Sequence, residues 1–237
     1  MAPDQQTIDP AESLEVEELD PMTSLPAAWY DRSSLRGDFL VLIPDQSEEE
    51  FLRRWPERPR CEFIDGTVYM HAEATNEHQF DVQFLLILIG MYDAVRDVGV
   101  ILTGPAALRL RDGCYLEPDL FVMPRGFVRD VGDKTTAPPA LLVVEVLSRS
   151  TRNYDLRDKA ALYREADAAD YWIIDGRDKV VIVDRRAADG RESLRVESGP
   201  LRSSGLPGFW IDVDWLWADP RPNLMRCFEL ILAGPPG

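Results

Sequence analysis

Cysteine, histidine and lysine are all scarce in this 237-residue chain, and each scarcity removes a class of function. The cysteines are Cys61, Cys114 and Cys227, far apart and without a CxxC pair, and the histidines are His71 and His78. A disulfide framework or a structural zinc site needs more such residues at closer spacing. Three reduced thiols in or near a cytosolic core is the simpler expectation. The longest apolar run, FLLILIGMY, falls well short of the roughly 20 residues that cross a bilayer. The N-terminal MAPDQQTIDP lacks a basic stretch followed by an apolar one, so no signal peptide is expected. A soluble, cytoplasmic protein without membrane contact follows as the expectation. There is no GxSxG of a serine hydrolase. GDKTT fails as a phosphate-binding loop, because Asp133 separates Gly132 from Lys134. No repeat with a period of 20–50 residues is present.

What the chain has in excess is acid, unevenly spread. The formal charge is −16, yet residues 1–50 hold 13 acids against two arginines, leaving 29 acids against 24 bases in the remainder. The body is mildly acidic at −5, which leaves room for a local basic cleft, although the overall charge slows the approach of DNA. Residues 1–45 read as an acidic, largely disordered extension punctuated by proline. Residues 46–220 read as one domain and 221–237 as a C-terminal tail.

Along that domain, SEEEFLRRW is a short capped helix, and CEFIDGTVYM is a hairpin turning at Asp65-Gly66. Residues 76–98 form a long helix, with Phe80, Phe84, Leu85, Leu88, Met91, Tyr92 and Val95 at helical spacing. Strand-like pieces follow at 100–102 and 106–111, then CYLEPDLFVM, then a loop over 124–139. LLVVEVL reads as a buried strand, a polar turn and amphipathic helix come next, and YWIID reads as a second buried strand pairing with KVVIVDRR. This order gives an α/β fold with a central mixed β-sheet flanked by helices.

Glu145 stands inside LLVVEVL, where an unpaired charge is strongly disfavoured. A metal ion, a cationic partner or an exposed strand end would each account for it. Adjacent strands lie about 4.8 Å apart. If DLFVM and LLVVEVL are neighbours, Asp119 and Glu145 can therefore share a divalent cation, as Mg²⁺ takes oxygen ligands and keeps part of its water shell. Asp119 reads equally well as a turn former after Pro118. Lysine is found only at 134, 159 and 179, against 23 arginines, which draws attention to Lys159. Asp155, Lys159 and Tyr163 share a helical face, and the plain alternative is a surface Asp155–Lys159 pair worth a few tenths of a kcal/mol.

EPDLFVM, LLVVEVLSRSTRNYDLRDKAALYREADAADYWIID and CEFIDGTVYM…NEHQF together resemble the Uma-two family of restriction endonuclease-like proteins, within the PD-(D/E)XK nuclease superfamily. The resemblance runs from about Ser47 to Trp217. It implies a restriction endonuclease-like core and hydrolysis of DNA phosphodiesters with Mg²⁺, for which Mn²⁺ is a substitute. It places Asp119 at the PD element and Glu145 at the second acid, with the Val146 carbonyl as a further metal ligand. Leu147 stands two residues after Glu145, so the linear ExK pattern fails, and the family lysine matches Lys159 on the following helix. Glu62 and His78 match further polar positions of the pocket, with a strand-edge carboxylate and a helix-capping histidine as the plain readings. Two departures are Ala140, where an Asp often stands, and Arg149 in place of a proline. Phosphate contacts are expected from Arg149, Arg152 and Arg157, with Arg109 and Arg111 as further cations. A rival from another class is a nuclease-fold binding or regulatory module without activity, since fold does not fix function. A hydrolase of small phosphorylated molecules is a weaker third. A homodimer is also expected, from the apolar aromatic segments near the chain's end.

Overall fold

A computed structural model describes residues 40–54, 60–71, 75–127, 139–148 and 154–235. Residues 1–39, Trp55, most of the loop read over 124–139, Arg149 and Arg152 lie outside these.

Two sheets face each other, and the alternation of side chains along their strands decides what lies between them. The first is antiparallel. It comprises β1 (Leu40–Ile43), β2 (Cys61–Ile64), β3 (Thr67–His71), β5 (Leu108–Arg111) and β6 (Cys114–Leu116), in the order β1-β3-β2-β6-β5. The hairpin β2–β3 turns at Asp65 and Gly66, whose φ of 46° and 87° fit the twist-matched two-residue turn. The second sheet has the order β11-β10-β9-β8-β7-β4. Its strands are β4 (Val100–Thr103), β7 (Leu120–Met123), β8 (Leu142–Val146), β9 (Asp170–Asp175), β10 (Val180–Ala187) and β11 (Gly190–Val196). β8 and β9 run parallel and the other neighbours antiparallel, so this is the mixed sheet the sequence implies. A small pair, β12 (Pro200–Arg202) and β13 (Trp210–Asp212), completes the strands.

Because successive residues of a strand point to opposite faces, each sheet sorts its side chains into two layers. On one face of the mixed sheet Leu120, Val122, Leu142, Val144, Trp172 and Ile174 pack with Phe84, Leu85, Leu88 and Ile89. On the other, Phe121, Met123, Val143, Tyr171 and Ile173 pack with Leu108, Cys114 and Leu116 of the antiparallel sheet. Asp119 and Glu145 fall in the odd-numbered set, facing the antiparallel sheet. On β2, Cys61 and Phe63 belong to an outer cluster with Phe51 of the short helix α1 (Glu48–Arg54), which leaves Glu62 on the inner face. Three acids thus meet in the space between the sheets.

The long helix α2 (Asn76–Arg96) is capped by the Thr75 side chain, which accepts from the His78 N–H. It ends at Asp97 in the left-handed region. Its buried face is Asp81, Phe84, Leu85, Leu88, Ile89 and Tyr92, which corrects the stripe read from sequence: Phe80 and Val95 are 57% and 56% exposed. Apolar residues surround this helix, so spacing alone left its rotation about its axis ambiguous. After β8 the chain makes a π-helical turn, Tyr154–Lys159, that runs into α3 (Ala160–Glu165). The short α4 (Asp214–Trp217) follows β13, and α5 (Leu224–Ala233) packs on α2. Residues 221–237, read as a tail, therefore hold a helix that buries Cys227 and Ile231 in the main core. Its backbone accepts from the Trp210 indole, Ile231 O lying 3.2 Å from Nε1. β1 likewise falls inside the segment read as an extension, paired along β3.

Two glycines test this packing from opposite directions. The loop at 203–205 wraps the Asp170 carboxylate, which accepts from the N–H groups of Ser204 (2.8 Å) and Gly205 (3.1 Å). A Cβ on Gly205 would lie 1.7 Å from the Leu141 carbonyl oxygen, so Gly205→Ala is expected to cost about 3 kcal/mol or more. Gly90, inside α2, has nothing within 4 Å of its Cβ position, and Gly90→Ala is expected to stabilise by about 0.5–1 kcal/mol. Urea unfolding of both variants checks the pair.

Candidate active site

β7 and β8 pair with Leu120 opposite Val144, which sets Asp119 across from Glu145 at the same end of the sheet. Both are almost fully buried. Each carboxylate has one oxygen pinned and the other presented to a common point. Asp119 Oδ2 accepts from the Val146 N–H (2.7 Å) and lies 3.0 Å from His78 Nε2. Its Oδ1 lies 2.7 Å from Arg60 Nη2. Glu145 Oε1 accepts from Lys159 Nζ (2.7 Å) and from the Tyr163 hydroxyl (3.3 Å). Its Oε2 faces the same Arg60 Nη2 at 3.9 Å.

Lys159, 1% exposed, is the cation at the back of the site. Its Nζ also lies 2.9 Å from Glu62 Oε1 and 3.4 Å from Asp155 Oδ1. The Asp155–Lys159 pair is thus a buried one, which corrects the surface-pair reading. Glu62, 0% exposed, accepts from the Glu117 N–H (2.9 Å) and the Tyr154 hydroxyl (2.7 Å). The wider π-helical turn puts Tyr154, Asp155 and Lys159 together on the buried side, and such turns recur at functional sites.

Electrostatics separate the two facing acids. Burial works against ionising Asp119, but Arg60, the His78 ring and the Val146 N–H overcome it and hold the carboxyl well below the usual carboxylate range. Burial pushes Glu145 above that range; Lys159 opposes the shift, while Asp119, Asp155 and Glu62 add to it. Of this coupled pair Asp119 loses its proton first and Glu145 last. Burial alone would discharge Lys159, yet Glu145, Glu62 and Asp155 outweigh it and keep the ammonium charged. Burial beside Glu62 pushes Glu117 up to about 8.

Asp119, Glu145, Lys159, Glu62 and His78, all singled out in the sequence, therefore stand in one contact network. Of the cationic candidates among the described residues, Arg109 and Arg111 do not. Arg109 is engaged with Asp112, Glu48 and the Tyr115 hydroxyl, and Arg111 with Asp65, none of them part of this network. Arg157 is exposed on the turn that carries Lys159. Arg60 is not among the residues singled out in the sequence, although its position two residues before Glu62 puts both side chains on one face of the strand. Among the described residues no group of three or more His, Cys, Asp or Glu converges as a metal cage. The pair of presented carboxylate oxygens is the candidate cation position, with Arg60 Nη2 as a stand-in cation between them.

The model of the Uma2 family, described as "Putative restriction endonuclease", matches residues 48–214. No curated protein matches the chain. Among solved structures, the chain is similar to "a putative nuclease belonging to DUF820" from Anabaena variabilis, with a TM-score of 0.57 and 14% identity. The likeness covers 70% of this chain and 96% of that one, and it bears on the fold.

Removing the ammonium tests the network. Lys159→Met leaves buried carboxylates without that cation, and the expected loss at neutral pH is about 3–5 kcal/mol. Glu145 already binds its proton more tightly in the folded than in the unfolded chain. The stability that such a raised group contributes is present at low pH and lost as pH rises above the ordinary value of 4.5. The variant's deficit is therefore expected to be larger at pH 8 than at pH 5 in urea unfolding.

Proposed function

The chain belongs to the Uma2 family, and from that premise we propose that it is a nuclease hydrolysing DNA phosphodiester bonds with a divalent metal held by Asp119 and Glu145. The observation that supports this most is the pairing of pinned and presented oxygens. Each acid is fixed through one oxygen by groups of the protein itself, and the remaining two face a single cationic atom. Two hard carboxylate oxygens suit Mg²⁺ or Mn²⁺, which retain water and need no complete protein cage. The Val146 carbonyl is the proposed third protein ligand. A metal bound there would supply an activated water and neutralise charge developing on the phosphate.

The protein's own groups have separate tasks in this reading. Asp119 is the ready anion. His78 and the Val146 N–H fix its orientation. Lys159 remains an ammonium, so it acts as a fixed positive charge toward the transition state and cannot serve as a general base. Glu62, held by Tyr154 and the Glu117 N–H, positions Lys159 and does not face the cation itself. Arg157, with Arg149 and Arg152, would meet the phosphates on either side. One site addresses one strand, so cutting a duplex on both strands calls for a second copy, consistent with a homodimer. No helix among the described residues is long and apolar enough to cross a membrane, and a cytoplasmic location is proposed.

The Arg60 guanidinium between the carboxylates favours a second reading, a nuclease-fold binding module whose site is satisfied without metal. Two measurements separate the readings. Millimolar Mg²⁺ or Mn²⁺ is expected to raise the melting temperature of the wild type and not that of an Asp119→Asn, Glu145→Gln double variant. Plasmid nicking is expected to fall at least about a hundredfold in Lys159→Met, the scale of losing one electrostatic stabiliser. No metal-dependent stabilisation together with no cleavage of any DNA form would support the binding module. Cleavage undiminished in the double variant would refute the nuclease site drawn here.

A further inference from the structure

Arg60 is held less completely than Lys159, the other cation of the site. Its contacts with the acids all use Nη2, at 2.7 Å from Asp119 Oδ1 and 3.9 Å from Glu145 Oε2. The same nitrogen donates to the Glu117 carbonyl at 2.8 Å. The buried Nε has no hydrogen-bond partner among the described residues. An arginine serving as a permanent strut between carboxylates would use its planar fork, two nitrogens on two oxygens. This one is held at a single corner. Its side chain is 27% exposed against 1% for Lys159, so it stands at the mouth with a route to solvent, whereas the lysine has none.

The position matters because of what it excludes. Nη2 faces Asp119 Oδ1 and Glu145 Oε2 together, the two oxygens that a shared metal ion would need. A guanidinium also spreads one charge over three nitrogens and carries no water ligand to activate. With Arg60 in place a guanidinium charge stands where the metal-dependent reading puts a water-carrying ion.

We propose that Arg60 is a latch: its guanidinium and a divalent cation compete for the presented oxygens of Asp119 and Glu145, so the metal loads only as Arg60 swings out toward solvent. This deepens the metal-dependent reading above and rests on it. The closed latch keeps two facing carboxylates from repelling each other when no metal is at hand, and it makes metal affinity a property of this side chain. A latch closed nine-tenths of the time weakens apparent affinity about tenfold.

The experiment pairs Mn²⁺ titration calorimetry on the wild type and Arg60→Gln with side-chain NMR of Arg60 in the wild-type protein. Expected are Mn²⁺ binding about tenfold tighter in Arg60→Gln, and Arg60 guanidinium signals that are resolved and slowly rotating without metal but averaged on Mg²⁺ saturation. The NMR arm uses the wild type, so it stands even where Arg60→Gln folds poorly. Metal binding to the wild type with the Arg60 signals unchanged overturns the latch and leaves the metal site intact. Tighter binding in the variant without release in the wild type also overturns it, since loss of a nearby charge then suffices. Binding of Mn²⁺ by neither protein overturns the latch and the metal reading together. Binding by the variant alone supports the latch in its strongest form.

Discussion

An ammonium group almost without access to water ties the two sheets together. Lys159 arrives from the helical segment that joins β8 to β9, and its Nζ meets Glu62 of the antiparallel sheet and Glu145 of the mixed sheet within 3 Å. Taking such charges out of water is expensive, and their mutual attraction offsets that only when every remaining donor and acceptor is supplied. Here the supply comes from Tyr154, Tyr163, the Glu117 N–H and Arg60. A well-packed apolar set would be at least as stable at this place, so stability alone does not account for it. The arrangement does fix which oxygen of each acid is committed inward and which is left to face the mouth.

This constraint explains the local architecture on either side. Glu62 reaches Lys159 because β2 turns its even-numbered residue inward while Cys61 and Phe63 pack outward against α1. Asp119 and Glu145 reach one another because β7 and β8 are antiparallel neighbours in a register that places them side by side. The π-helical turn widens the helix where Tyr154, Asp155 and Lys159 must all point inward. His78 reaches Asp119 from the first turn of α2, a helix whose start is set by the Thr75 cap.

Much of this was legible in the sequence because the strand period is two. Glu145 within LLVVEVL stood out as a buried acid in need of a partner, Asp65-Gly66 marked the hairpin, and the resemblance to a known family placed Glu62 and His78. The scarcity of lysine drew attention to Lys159, and the resemblance to a known family gave it a role that the linear pattern alone would have missed, because Leu147 stands where the lysine is usually sought. What was not legible has physical causes. The rotation of α2 depends on which apolar stripe meets the sheet, and Phe80 to Val95 offers several. The helix at 224–233 does carry local signals, the Asn223 cap and an amphipathic run ending at Gly234, but only its packing against α2 makes it part of the main core. The separation of the strands into two facing sheets is a matter of long-range pairing. Arg60 shares the strand parity of Glu62, but a single arginine before a strand does not reveal that its partners are Asp119 and Glu145 of the other sheet. Among the arginines weighed as phosphate contacts, Arg109 and Arg111 turn out to be engaged with neighbouring acids on the antiparallel sheet.

The claim on which the account turns is that the free oxygens of Asp119 and Glu145 share one cation. Crystals grown with Mn²⁺ and measured near the manganese absorption edge test it directly, because the anomalous signal locates the ion without reference to any assumed chemistry. One anomalous peak bonded to Asp119 Oδ1 and Glu145 Oε2 is expected, with the Arg60 guanidinium displaced from between them. A peak elsewhere on the protein, or none with Arg60 still seated on Asp119, would contradict it.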